Sequence, residues 1–150
     1  MTLIAFTDGA SRGNPGESGI GVILRNPEGT TVEEMSGYLG TSTNNRAEYA
    51  GLLACVRLAS RHNCTHLISH SDSELIVKQM LGTYKIKDKS LKYLAGLVHT
   101  AARSAGIKLE LRHIPREENA EADRLANVGI DSREPVPDRS LLPESLFESM

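Results

Sequence analysis

The chain has only two cysteines, no tryptophan, no long apolar run and a net charge of just −2. Cys55 and Cys64 stand nine residues apart and form no CxxC pair, and a reducing compartment leaves both as thiols. No apolar stretch approaches the ~20 residues of a membrane span, and the N-terminus lacks a charged region followed by an apolar one. A cytoplasmic protein without membrane contact is expected. There is no internal repeat and no low-complexity block. What remains is ordinary: 150 residues, 39% hydrophobic and 24% charged, suit one soluble domain with a single core.

The near-zero charge hides an uneven distribution. Residues 131–150 hold five acids (Asp131, Glu134, Asp138, Glu144, Glu148) against Arg133 and Arg139, a net of −3, which leaves residues 1–130 at +1. Four carboxylates within 1–130 are assigned to metal binding below, and without them the remaining surface is +5. That balance permits a polyanionic partner.

The stretch from Leu3 to Gly16 organises the chain. It reads as a buried strand running into a glycine-rich turn, with Asp8 on the same face as Ile4 and Phe6. A carboxylate there is costly to desolvate unless hydrogen bonds, a cation or water compensate it; an Asp-Gly step also begins an Asx-turn. Gly19 to Arg25 and Thr31 to Leu39 read as a hairpin around Asn26-Pro27-Glu28-Gly29. Thr43-Asn44-Asn45 supplies cap-type residues for a helix to about Arg61. Glu48 sits beside that helix's apolar stripe, in an early turn that the helix dipole also favours for an acid. Thr65 to Ser71 is a fourth strand and delivers Asp72 before a helix from Glu74 to Leu81. Asp72 is a cap-type residue, but Ser71 and Ser73 offer the same cap. A helix from about Ser90 to Ser104, a strand from Ile107 to Ile114 and a last helix through Asn127, carrying Asp123, complete the order. Three strands, then alternating helices and strands, make a mixed sheet in an α/β sandwich, with ligand sites expected at strand ends near a switch point.

Asp8, Glu48, Asp72 and Asp123 are thus carboxylates in settings that ask for compensation. Converging carboxylates repel and persist when a cation neutralises them; oxygen ligands select Mg²⁺ or Mn²⁺, and a pair of such ions suits phosphodiester hydrolysis. Spacing alone does not bring the four together. Four segments do more: Thr7-Asp8-Gly9-Ala10-Ser11-Arg12-Gly13-Asn14-Pro15-Gly16, Thr43-Asn44-Asn45-Arg46-Ala47-Glu48-Tyr49, Ser71-Asp72-Ser73 and Asn119-Ala120-Glu121-Ala122-Asp123-Arg124-Leu125-Ala126. In order and approximate separation they resemble the signature blocks of type 1 ribonuclease H, and the likeness covers residues 2 to about 130.

The resemblance implies the ribonuclease H-like fold, a five-stranded mixed sheet flanked by helices with the first strand at its centre. It implies an endonuclease that hydrolyses the RNA strand of RNA·DNA hybrids with two Mg²⁺ ions (Mn²⁺ substituting), leaving 5′-phosphate and 3′-hydroxyl ends. Asp8, Glu48, Asp72 and Asp123 take the metal-binding places, and His113 that of a mobile histidine serving proton transfer or product release. Asn14 and Asn45 would face the RNA minor groove, where 2′-hydroxyls mark RNA, and Thr43 a DNA-strand phosphate. Some members carry an arginine two positions before that threonine; here the residue is Thr41. The basic, tryptophan-bearing insertion of better-known bacterial members is absent, and Lys85, Lys87 and Lys89, with Lys92, stand in its place as a reduced DNA-strand grip or a solvated face. Two other readings stay open: action on duplex RNA, and a non-catalytic hybrid-binding module. A monomer is expected, with residues 1–130 as the catalytic domain and 131–150 as a C-terminal tail that docks, joins chains or stays loose. His62, Cys64, His66 and His70 match no usual zinc spacing.

Overall fold

The computed structural model describes residues 1–147; the last three residues of the expected tail lie outside the described residues. Strands β1 (Thr2–Gly13), β2 (Gly16–Arg25), β3 (Thr31–Ser42), β4 (His66–Ser71) and β5 (Lys108–His113) form one sheet. Their order is β3-β2-β1-β4-β5, which puts β1 at the centre. The β1–β2 and β2–β3 pairs are antiparallel, and the β1–β4 and β4–β5 pairs parallel. The expected mixed sheet is therefore present, and its change of direction falls on the strand that carries Asp8.

The helices are α1 (Asn44–Ser60), α2 (Glu74–Met80), α3 (Lys89–Ala105) and α4 (Ala120–Ser132), with a 3₁₀ turn over Arg116–Asn119. The Thr43 hydroxyl caps α1 by accepting from the Arg46 amide, and the Asp88 carboxylate caps α3 by accepting from the Leu91 amide. These caps satisfy donors that the first helical turn leaves free. Helix α1 lies between the sheet and α3, so it is buried on two sides, and its row Glu48, Leu52, Cys55 and Ala59 is buried with the stripe beside it. No helix among the described residues is long and apolar enough to cross a membrane.

Boundaries differ from the sequence reading where polar residues are satisfied internally. Strand β3 runs on to Ser42, and β2 begins at Gly16. Buried Ser18 and half-buried Ser11 both donate to the Ser42 carbonyl, so serines that look like turn residues hold the strands' far ends together. Helix α4 runs past Asn127 to Ser132 because Ile130 continues its buried face.

Residues beyond α4 cross the body as a strap. The Tyr38 amide donates to the Glu134 carbonyl at 2.8 Å, and Arg57 of α1 donates to the Leu141 carbonyl at 2.9 Å. Arg61 pairs with Asp138. Val136, Leu141, Leu142 and Leu146 belong to the same buried cluster as the sheet and α1.

Candidate active site

The parallel pairing of β1 with β4 ends at Phe6↔His70. Beyond that point the β4 edge of β1 has no strand to bond to, and side chains take over. The Thr7 carbonyl accepts from Asn119 Nδ2 at 2.9 Å, and the Gly9 amide donates to Glu48 Oε1 at 2.8 Å. A Cβ on Gly9 would lie 2.2 Å from the Ala47 carbonyl carbon, so only glycine lets α1 approach closely enough for Glu48 to reach this edge. On the sheet's other face, Gly21 lies directly across from Asp8. A Cβ there would sit 2.3 Å from the Ala122 carbonyl oxygen, and that close approach of α4 brings Asp123 beside Asp8.

The result is a carboxylate cluster at the strand ends. Asp8, Glu48 and Asp72 each offer an oxygen within 4.8 Å of the others'. Asp8 and Glu48 are both 5% exposed. Asp123 stands outside this tight trio but lines the same open cleft of about 430 Å³, and its proximity adds to the upward push on Asp8. Three of the four expected residues are thus gathered closely, and the fourth flanks them. Asp72 does not cap α2: Ser73 does, and the Ser71 hydroxyl accepts from the Ser73 amide.

The electrostatics record the crowding. Burial, and then the neighbouring Glu48 carboxylate, push the Asp8 carboxyl far above the ordinary carboxylate range. Burial also raises Glu48, although the Gly9 amide favours its charged form. Asp72 is raised by burial against the opposing pull of the Asn119 amide, Arg116 and His113. Full ionisation of the cluster is therefore unfavourable without added positive charge. An all-oxygen, multiply anionic donor set fits a hard divalent cation, and Asp8, Glu48 and Asp72, with Asp123 beside them, are the residues to hold it.

His113 is exposed at the end of β5, and its register partner is Ser71, one residue before Asp72. It stands at the rim of the cluster. Asn14 is exposed on the β1–β2 turn, and its Oδ1 accepts from the Asn44 amide at 3.1 Å, tying the turn to the start of α1. Asn45 is half-buried in the first turn of α1, and Thr43 is its cap. Lys85, Lys87 and Lys89 are exposed on the α2–α3 connection and the first residue of α3, outside the cleft lining. Two of the three histidines near Cys64 are engaged elsewhere: His62 bonds Glu33, and His70 stacks on Phe6 with centroids 4.6 Å apart.

The sequence reading missed Arg12, Asn44, Arg116, Asn119 and Asn127. All but Asn119 line the cleft, and Asn119, 1% exposed, reaches Asp72 Oδ2 at 3.4 Å. The spacing held one signal, since Asn127 follows Asp123 by one helical turn.

Comparison with known proteins matches residues 6–129 to the family described as reverse transcriptase-like. The crystal structure of RNase H1 from the halophilic archaeon Halobacterium salinarum aligns with a TM-score of 0.84 and 33% identity, covering 88% of this chain and 99% of that one. The chain belongs to the type 1 ribonuclease H family. Among its ribonuclease H relatives is LC11-RNase H1, isolated from compost by a metagenomic approach. Its structure in complex with an RNA/DNA hybrid is 40% identical, with a TM-score of 0.83, over 87% of this chain and 98% of that one. The bifunctional protein Rv2228c of Mycobacterium tuberculosis is 37% identical over 133 residues, covering 88% of this chain and 36% of that protein. The chain thus spans about a third of the length of that relative.

Proposed function

We propose that this chain is an endoribonuclease that hydrolyses the RNA strand of RNA·DNA hybrids, leaving 5′-phosphate and 3′-hydroxyl ends. The observation that carries this reading is the buried Asp8–Glu48–Asp72 cluster opening into a cleft. A protein that only bound a polyanion would gain nothing from three gathered carboxylates, which repel phosphate. Two Mg²⁺ ions, with Mn²⁺ as substitute, would supply charge neutralisation of the phosphate and a more acidic attacking water.

The chain's own residues supply position. The Gly9 amide and the α1 backbone hold Glu48, and Asn119 holds Asp72. With Asn14 Oδ1 occupied by the Asn44 amide, its NH₂ is left as a donor for the RNA minor groove, where Asn45 joins it, while Thr43 is read as a contact to a DNA-strand phosphate. Hydrolysis breaks the P–O3′ bond, joins the water oxygen to phosphorus and delivers a proton to the departing O3′. His113, at the rim, assists that proton transfer or product release. His113→Ala is expected to slow turnover by roughly 10²–10⁴-fold without abolishing it, the usual scale of acid–base assistance. A loss as deep as that of Asp8→Asn in the same steady-state assay would contradict this role.

Lys85, Lys87 and Lys89 are read as phosphate contacts to the DNA strand. Changing all three to Ala is expected to weaken hybrid binding similarly across sequences, because phosphate contacts carry no base information. The slope of log K against log salt should flatten by about 2–3 units. Binding is measured in Ca²⁺, expected to occupy the site without supporting cleavage; a parental slope would make these lysines a solvated face.

All four carboxylates come from one chain, so a monomer suffices. The deciding experiment incubates an end-labelled RNA·DNA hybrid and an RNA·RNA duplex with Mg²⁺, Mn²⁺ or a chelator. Cleavage of the hybrid's RNA strand, silenced by the chelator, is expected. Binding without cleavage would make the chain a hybrid-binding module, and equal cleavage of duplex RNA would widen its substrate class.

A further inference from the structure

Helix α4 carries Asp123, Asn127 and Asp131 at four-residue spacing, one above another on a single face. Asn127 Nδ2 donates to the Asp123 carbonyl at 3.0 Å and approaches its carboxylate Oδ1 at 3.4 Å. Asn127 Oδ1 accepts from Arg12 Nη2 at 3.1 Å, while Arg12 Nη1 donates to Asp131 Oδ1 at 2.6 Å. A guanidinium has donors and no acceptor. Contact with it therefore fixes the Asn127 amide, with its oxygen toward Arg12 and its NH₂ toward Asp123. The flipped amide would set NH₂ against guanidinium and oxygen against carboxylate. Asp131 completes the link by holding the other arm of the same planar fork, which a lysine ammonium does not reproduce.

We propose that Arg12 and Asn127 are positioning residues that set the orientation of the Asp123 carboxylate, linking the glycine-rich turn after β1 to the cation site. The proposal rests on the reading of Asp123 as a cation ligand. Asp123 is the carboxylate most in need of such a device. It stands outside the 4.8 Å trio, is only half-buried and rides on a helix across from the strand end it must meet. The Asn127 amide, reaching both its carbonyl and its carboxylate, narrows the positions that side chain can take. With Nη1 and Nη2 both engaged, Arg12 lines the cleft as a strut.

The test titrates Mn²⁺ by calorimetry into the metal-free full chain and measures kcat and KM on a hybrid. The variants are Arg12→Met, Asn127→Ala, their combination and Asp123→Asn. Each single change at Arg12 or Asn127 is expected to weaken Mn²⁺ binding and lower kcat by about 10–100-fold, the usual effect of losing a group that orients a metal-binding side chain. KM for the hybrid should change little. The combination should be no worse than Asn127→Ala alone, because Arg12 acts through that amide. Asn127→Asp, which keeps the shape but sets a carboxylate against Asp123, should lose at least as much as Asn127→Ala and covers the case where alanine frays α4. Parental Mn²⁺ affinity in the Arg12 and Asn127 variants would overturn the proposal. So would multiplying losses in the combination, which mean that Arg12 acts independently of Asn127, or an Arg12→Met defect confined to KM, which means that Arg12 touches the hybrid itself. Parental binding and turnover in Asp123→Asn would instead remove the cation reading of Asp123, and the proposal with it.

Discussion

Asp8→Asn is expected to abolish hydrolysis and, in the metal-free protein, to raise the melting temperature. The first effect follows from removing one charge and one oxygen ligand from the centre of the cluster. Loss of a single preorganised stabiliser of developing charge commonly costs about 10²–10³-fold; losing a central metal ligand weakens the cation site as well, so the loss should exceed the roughly 10²–10⁴-fold expected for His113→Ala. The second follows from what that charge does when no cation is present. Two full charges at the cluster's limiting separation of 4.8 Å repel by about 0.9 kcal/mol in water and about 3.5 kcal/mol at an effective dielectric of 20. Relief of roughly 1–3 kcal/mol corresponds to several degrees in a chain of this size.

The pH dependence has a definite sign. Asp8 and Glu48 are raised above their ordinary values of 3.8 and 4.5, chiefly by burial. Above those values the folded chain therefore holds more protons than the unfolded one, so metal-free stability falls as pH rises through the raised range. Asp8→Asn should flatten that decline, and saturating Mn²⁺ should stabilise the parent more than the variant. Thermal melts from pH 5 upward, with and without Mn²⁺, check both. A variant less stable than its parent without metal would mean that Asp8 is held by hydrogen bonds rather than awaiting a cation.

Removing the strap is expected to have the largest effect on stability. Helix α4 runs through Ser132, so the informative cut falls after Arg133. It deletes Val136, Leu141, Leu142 and Leu146, each 4% exposed or less. Burial of such side chains is worth roughly 1.5–3 kcal/mol each, an upper figure because denatured chains already bury some surface. The total rivals the roughly 5–15 kcal/mol that holds an ordinary domain folded. A large fall in melting temperature or loss of the cooperative transition is expected. We propose that residues 1–130 carry the catalytic residues and that the strap contributes packing, so any truncated protein that remains folded should still cleave hybrid. An unchanged melting temperature would mean that these side chains add nothing to the core; folded protein without activity would assign the strap a part in the site.

Legibility in the sequence follows the physics of each feature. The central strand, the hairpin and the helices announce themselves by periodicity and turn residues, and the order of strands and helices gives the mixed sheet. The residues of the site are legible as types, since Asp8 follows a buried strand and Asp72 stands where serines already offer the cap. Their convergence is not, because it depends on close approaches at Gly9 and Gly21 that no pattern reports. Asn119 and Arg12 escaped for a related reason. Each bonds across more than a hundred residues of chain, to Thr7 and to Asn127 and Asp131. The strap's apolar residues were visible as anchors among prolines, but whether they dock depends on the surface that α1 and β3 present to them.

The most direct test of the central claim, that the buried carboxylates form the cation site used for hydrolysis, is a calorimetric titration of Mn²⁺ into the metal-free parent and Asp8→Asn proteins. Saturable binding is expected in the parent, over the cation range in which hybrid cleavage rises, and its loss or marked weakening in the variant. Absence of saturable binding in a parent protein that cleaves hybrid, or equal binding in both, would contradict the claim.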